Sequence, residues 1–381
     1  MKRKNLWFIL ATLALVLAGC GNLKSTGSTG TQTSTNNKGV QTTGATGESN
    51  YTGVIENGHY KTSAARGLTT SQTDNVLNVK SMEDGLTDLS KSQFPTDKYL
   101  LQEGQYLKSD TIKDWLARKS QKNPEGLNPA DNGSTDADKR APLYLQQILE
   151  QDYVTQTDDK SVKLGGISIA LGMNSVDYYQ KEEYGAEFQT NISDNTLLAQ
   201  GKQMAQTIVQ RLRQRKGLEN VPITIGIYKQ ASKDSLVGGT YVSATTVDNG
   251  AKKIDSWKRV NEKNQVLPTA SGEKAVNSGD NDSFSNFKTQ VQSFFPNLAG
   301  VVAQAHYEND QLAGMNITIN TQFYGETEIT SFTQYIAQAA GRYLPRNIPL
   351  QITIQSTQGI QAFVARSSNA KSFYTHVFSS Y

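Results

Sequence analysis

Hydrophobic residues open this chain as one block and then nearly vanish before a long mixed region begins. Leu6 to Ala18 is a run of thirteen residues with Thr12 its one polar side chain, behind Lys2, Arg3 and Lys4. As a helix that run rises only about 20 Å, against the roughly 30 Å of a hydrocarbon core, so it reads as an export signal rather than a permanent span. Gly21 to Asn50 holds almost nothing but Gly, Ser, Thr, Asn, Gln and a few charges. Such a stretch cannot bury enough apolar surface to offset the entropy of ordering it, and it is expected to be a flexible tether with a mean reach of roughly 30 Å. The folded body is expected to start near His59 and Tyr60.

Beyond that point the pattern predicts both helices and strands. Asp74 to Gln93 carries Leu77, Met82, Leu86 and Leu89 with Pro95 just after, which suits an amphipathic helix stopped before proline. Ser109 is expected to cap a second helix with Ile112, Trp115, Leu116 and Lys119 on one face. Tyr99 to Leu107 reads as a hairpin turning at Glu103-Gly104, Lys122 to Arg140 as a polar loop, and Leu143 to Tyr153 as a helix.

The second half contains an internal echo. In the first copy, a strand Gly166 to Leu171 precedes a helix from Asn195 to Lys216, capped by Asp194 and ended by Gly217; Pro222, the strand Ile223 to Tyr228 and the strand Thr240 to Thr245 follow. In the second, strands Gly300 to Ala305 and Met315 to Asn320 precede a helix Phe332 to Tyr343, then Pro349 and strands Leu350 to Ile354 and Gln361 to Arg366. Val221-Pro222-Ile223-Thr224-Ile225 matches Ile348-Pro349-Leu350-Gln351-Ile352. The expected fold class is α+β, an N-terminal mixed region followed by two duplicated strand-helix-strand units. The expected divisions are a signal at 1–19, anchor and tether at 20–58, an N-terminal α+β region at 59–160, repeat unit 1 at 161–250, a polar connection with one amphipathic helix at 251–297, and repeat unit 2 at 298–381. In that connection Phe284, Phe287, Val291 and Phe294 form a stripe at helical spacing, read as a packing face.

Composition adds an address. Cys20 is the one cysteine, directly after Leu17-Ala18-Gly19, a small-residue cleavage site ending in cysteine, as in a lipobox. Lipid on its thiol would hold the mature chain on the extracytoplasmic face of the cell membrane, with lipoprotein processing enzymes as partners. Removing the three signal cations takes the 38 Lys and Arg down to 35, equal to the 35 Asp and Glu. A formally neutral mature chain lacks the clustered positive charge that nucleic-acid binding uses. No cofactor or metal is expected.

The lipobox, the tether, Phe94-Pro95-Thr96-Asp97-Lys98-Tyr99, Gln102-Glu103-Gly104-Gln105-Tyr106-Leu107 and the echoed second half resemble CamS, a family of Gram-positive lipoproteins known as sex pheromone precursors. The resemblance implies that a short hydrophobic peptide is cut from the signal, here within Thr12-Leu13-Ala14-Leu15-Val16-Leu17-Ala18-Gly19, while the body has no established activity. The Leu-Val-Leu-Ala-Gly ending is similar to that of several enterococcal pheromones and departs from the Ile-Phe-Ile-Leu-Ala type.

Enzyme signatures are absent from the body: there is no His-Glu-x-x-His, no Gly-x-Ser-x-Gly and no phosphate loop. Ser271-Gly272-Glu273-Lys274 and Ser368-Asn369-Ala370-Lys371 match a serine–lysine spacing without its companion motifs. His306, with Glu308 and Asp310, is the metal or acid–base candidate, and a solvated loop accounts for the three equally well. Tyr178, Tyr179 and Tyr184, near Glu182-Glu183, are candidates for packing on sugar rings. They support an alternative in which the body binds cell-wall glycan, another surface ligand or surface proteins, using a cleft between the repeats.

Overall fold

The computed structural model describes residues 40–44, 50–70, 75–159, 161–295 and 300–379. Cys20, the lipobox and Thr12 to Gly19 lie outside the described residues. Among the described residues no helix is long and apolar enough to cross a membrane.

A small antiparallel sheet comes first, formed by β1 (Val40–Thr42), β2 (Val54–Glu56) and β3 (His59–Tyr60). It draws on residues that composition assigns to the tether, because Val54 is an apolar anchor: it is 1% exposed, and beside it the Thr52 carbonyl accepts from the Leu101 N–H at 3.0 Å. The helix α1 (Val76–Ser90) follows, capped by the Asn75 side chain accepting from the Leu77 N–H at 3.0 Å.

The first large sheet is built from β4 (Leu100–Glu103), β5 (Leu145–Gln156), β6 (Val162–Met173), β9 (Ile223–Lys229), β10 (Thr240–Val247) and β11 (Lys258–Arg259), adjacent in that order. Between β4 and β5 runs α2 (Ser109–Leu116); between β6 and β9 come a hairpin of β7 (Val176–Gln180) and β8 (Glu187–Asn191) and then α3 (Asp194–Leu212). The second large sheet orders β12 (Glu262–Leu267), β13 (Gly300–Glu308), β14 (Gln311–Asn320), β15 (Leu350–Ser356), β16 (Gly359–Arg366) and β17 (Tyr374–Val377), with α4 (Ser278–Gln292) after β12 and α5 (Glu326–Tyr343) after β14. Both sheets pass through the same pairings: antiparallel twice, one parallel pair bridged by α3 or α5, then antiparallel twice. At the parallel pair the carbonyl of Pro222 accepts from the Ile167 N–H, and the carbonyl of Pro349 from the Met315 N–H, each at 3.2 Å.

Each sheet buries one face against its own helices. Leu197, Met204, Ile208 and Leu212 of α3 and Ile112 and Trp115 of α2 pack on Ile167, Ile169, Ile223 and Ile225. Phe284, Phe287 and Val291 of α4 join Phe332 and Ile336 of α5 over Ile317, Ile319 and Ile352, so the aromatic stripe is a packing face. The first sheet is covered on its other face too, where Met82 and Leu86 of α1 meet Ala170, Tyr228 and Tyr241.

Several local expectations are corrected. Leu143 to Tyr153 is not a helix; most of it is β5, a strand buried on both faces. Its polar Gln146, Gln147, Glu150, Gln151 and Asp152 are buried beside the apolar residues, which hides the alternation and leaves Leu145, Ile148, Leu149 and Tyr153 at helix-like spacing. Tyr99 to Leu107 is not a hairpin, since only Leu100–Glu103 is a strand and it pairs with β5. The next residues wrap two carboxylates instead: Gln105 N–H donates to Asp152 at 2.9 Å, and Tyr106 and Leu107 N–H donate to Glu150 at 3.1 and 2.8 Å. Ser109 does not cap α2; Lys108 is the N-cap, and the Ser109 hydroxyl donates to the Ala64 carbonyl. Lys119 lies beyond the end of α2, because its N–H turns to the Asn128 carbonyl at 2.8 Å. The cap of α3 is Ser193, one residue before Asp194, and Gly217 takes the positive φ of 90° that turns the chain away after it.

Candidate functional site

The chain passes from β11 to β12 through Val260 and Asn261 alone, so the edge of the first sheet leads directly into the second. Between the sheets lies α1. Its apolar side rests on the first sheet, with Gly85 close against the Tyr241 ring, while Ser81, Asp84 and Asp88, at the i, i+3 and i+7 spacing of one helix face, line the opposite side. Opposite them stand Glu262 and Asn264 of β12, Gln304, His306 and Glu308 of β13, and Asn316 of β14, with Val237-Gly238-Gly239 closing one end of a cavity of about 250 Å³.

Strand register brings the polar groups together. Glu262 is the Cα partner of Glu308, and Asn264 of His306. His306 Nδ1 is 2.7 Å from Asn264 Oδ1, and its Nε2 is 3.8 Å from Glu308 Oε1. Asn264 Nδ2 also donates to the carbonyls of Gly238 and Gly239 at 2.9 and 3.0 Å, and Glu262 accepts the Tyr241 N–H at 3.0 Å. Asp310, past the end of β13, turns out of this group and pairs with Lys263 at 2.6 Å. Among the described residues no group of three or more His, Cys, Asp or Glu is placed to hold a metal ion.

Burial raises the Glu262 carboxyl to about 7, reinforced by the charges of Glu308 and Asp88 and opposed by the Tyr241 N–H. Burial lowers His306 from its ordinary value, with Glu308 and Asp88 pulling it back up. Asp84 is raised as well, by burial first. The cleft therefore holds a carboxyl that exchanges its proton near neutrality beside an imidazole that stays neutral there, a pairing suited to proton exchange or to hydrogen bonding a polar ligand. A raised carboxyl binds its proton more tightly folded than unfolded. The stabilisation from Glu262 is thus complete below its unfolded value of 4.5 and lost as pH rises to about 7, a change of roughly 2–3 kcal/mol. His306, being lowered, works in the opposite sense below 6.5. Urea midpoints from pH 4.5 to 8 are expected to lose this component in Glu262→Gln, and equal pH slopes in variant and parent would remove Glu262 from this role.

On the other side of Val237-Gly238-Gly239 a larger cavity of about 910 Å³ opens, sharing Glu262 and Asn264 with the first. Its wall includes Trp257, Arg259, Lys202, Lys229 and the first turn of α3.

Of the residues singled out in the sequence, the fold brings His306 and Glu308 into the cleft. Tyr178 and Tyr179 sit on β7, away from that pair: Lys233 Nζ lies 4.7 Å from the Tyr178 ring centroid, and Arg140 stacks at 3.9 Å on Tyr179. Tyr184 occupies the β7–β8 turn, 91% exposed, at a positive φ of 61°. The neighbouring Glu182-Glu183 pair lies in the same exposed turn. Sequence reading missed Asp84, Asp88, Glu262 and Asn264. The one local signal was the alternation Glu262-x-Asn264, facing His306-x-Glu308 across two strands. It also missed the buried Glu150–Asp152 pair, where burial raises both carboxyls and the neighbouring Glu150 charge raises Asp152 further.

Comparison with known proteins completes the assignment. The model of the CamS sex pheromone cAM373 precursor family matches residues 60–372. The sex pheromone precursor from Lactobacillus salivarius subsp. salivarius UCC118 has a crystal structure that is similar at a TM-score of 0.85 and 51% identity, covering 90% of this chain and 100% of that one. The C-terminal domain of the sex pheromone staph-cAM373 precursor from Staphylococcus aureus is similar at a TM-score of 0.69 and 32% identity, covering 81% of this chain and 99% of that one. Among curated proteins no match is found. The chain belongs to the CamS sex pheromone cAM373 precursor family.

Proposed function

We propose that this protein is lipid-anchored through Cys20 on the extracytoplasmic face of the membrane, that its signal segment yields a hydrophobic peptide within Thr12 to Gly19, and that its body binds a cell-wall glycan or another surface ligand in the cleft between the two sheets. The anchor rests on Leu17-Ala18-Gly19-Cys20 behind an apolar run of thirteen residues. Membership of a family described as pheromone precursors supports the peptide. The observation that carries the binding role is the polar cleft itself, in which carboxyls, an imidazole and amides from α1, β12, β13 and β14 converge where the two sheets meet. The matching pairings of the two sheets, with Pro222 and Pro349 at equivalent bonds, also support reading them as duplicated units; superposition of Ile223–Lys229 on Leu350–Ser356 checks this.

Cys20→Ala is expected to abolish incorporation of a fatty-acid probe, because no second cysteine supplies the thiol. Undiminished label in the variant would sink the anchor. A synthetic Thr12–Gly19 octapeptide should elicit plasmid transfer from a responsive donor, and silence across donor strains would remove the peptide role while leaving the anchor intact.

A further inference from the structure

We propose that the larger cavity is a binding site for an anionic saccharide, one whose sugar or polyol units carry phosphate or carboxylate groups. This rests on the glycan-binding reading above and extends it across the Val237-Gly238-Gly239 wall into the adjoining cavity, which shares Glu262 and Asn264 with the cleft. The first ground is charge. Four cations, Lys202, Lys229, Arg259 and Lys263, stand on the wall, against Asp194 and Glu262 as its acidic residues. Asp194 is taken up by Lys229 at 2.6 Å, and Lys263 pairs at 2.6 Å with Asp310, which is not on the wall. Glu262 is half protonated near neutrality. Among the described residues Lys202 and Arg259 make no ion pair, so two cations are left to face the cavity.

The second ground is the ring. Trp257 is half-buried on the same wall, held on one side by the core of the first sheet, with Lys202 Nζ 5.7 Å from its centroid. An indole face accepts the C–H surface of a sugar, and an adjacent ammonium meets a negative substituent on it. Neither group alone selects this ligand, but an inorganic anion would leave the indole unused and a neutral glycan would leave two cations without a counter-charge. A volume of about 910 Å³ accommodates more than one sugar unit and lies within the usual range for ligand sites.

Titration calorimetry on the full mature body at low salt tests this with four probes: a glycerol-phosphate hexamer, a hexagalacturonate, a neutral chitohexaose and a single-stranded DNA hexamer. Binding of one or both anionic saccharides is expected. It should weaken at least tenfold in Lys202→Glu/Arg259→Glu and in Trp257→Ala, and should fall as salt is raised. Both cationic side chains reach solvent, so the charge-reversed protein is expected to keep its circular dichroism and melting temperature. The phosphate and carboxylate arms tell the two sources of charge apart. Chitohexaose binding as tightly as the anionic probes, unaffected by charge reversal, overturns the inference and leaves the glycan reading standing. DNA binding more tightly than either saccharide overturns it in favour of a general polyanion surface, and binding of no probe overturns it together with the glycan form of the reading above, leaving only a non-glycan surface ligand.

Discussion

Asp177→Ala is expected to lower the stability of the folded body by about 3–5 kcal/mol, the usual cost of leaving one member of a buried ion pair alone. The Asp177 side chain is fully buried and that of its partner Arg140 nearly so. The Arg140 guanidinium also stacks on Tyr179 at 3.9 Å, and burial already holds its pKa below the ordinary value. The Leu143 N–H donates to Asp177 Oδ1 at 3.2 Å, so the carboxylate fastens the loop before β5 to the base of the β7–β8 hairpin. Its loss strands both a cation and an amide. Arg140→Met/Asp177→Leu, which removes both charges, should recover most of the loss, and urea unfolding of the two singles and the double closes the cycle. A loss below about 1 kcal/mol in Asp177→Ala would show the pair to be effectively solvated.

The second large effect belongs to Asn78, on α1. It is 3% exposed; its Nδ2 donates to the Ala231 carbonyl at 3.0 Å and its Oδ1 accepts the N–H groups of Ala231 and Gly239, each at 2.9 Å. Asn78→Ala takes the partner from three donors, the Ala231 and Gly239 N–H groups and the Tyr228 hydroxyl at 3.4 Å, and from one acceptor, and a loss of about 3 kcal/mol or more is expected. The segment from Ala231 to Gly239 separates the two cavities, and it lies so close on α1 that a Cβ on Gly238 would fall 2.1 Å from Ser81 Oγ. Amide exchange at Ala231 and Gly239 should therefore accelerate in the variant beyond what global destabilisation explains. Unchanged protection at those two amides would detach Asn78 from the cleft wall.

Periodicity exposed much of this fold. Helices α1, α3 and α5 and the strands β13 to β16 have one apolar and one polar face whose spacing is readable directly, and β6 and β9, buried on both faces, read as short apolar-rich runs. β5 was hidden because its buried carboxylates and amides find hydrogen bonds that only the tertiary structure supplies. β12 was hidden inside a polar connection, its buried Gln265 held by Glu273 and by the Lys274 carbonyl at 3.0 and 2.9 Å. The site was half visible. His306 and Glu308 share one strand and drew notice as ionisable neighbours, whereas Asp84 and Asp88 reach them from far earlier in the chain because α1 is laid over the first sheet. No local pattern encodes that placement.

The carboxamide of Asn264 has a last consequence, for the imidazole it holds. Both of its hydrogens are committed to the carbonyls of Gly238 and Gly239, so the oxygen facing His306 Nδ1 at 2.7 Å can only accept. Nδ1 therefore carries the hydrogen, and the neutral ring is locked as a single tautomer with its lone pair on Nε2. Every proton the ring takes up enters from the cleft side, facing Glu308, and nitrogen-15 spectra should show one pyrrole-type and one pyridine-type signal rather than an average. A ligand that lifted the two glycines would free the carboxamide to rotate, and the ring would regain its choice of tautomer, so the state of a single histidine reports whether the wall between the cavities is shut.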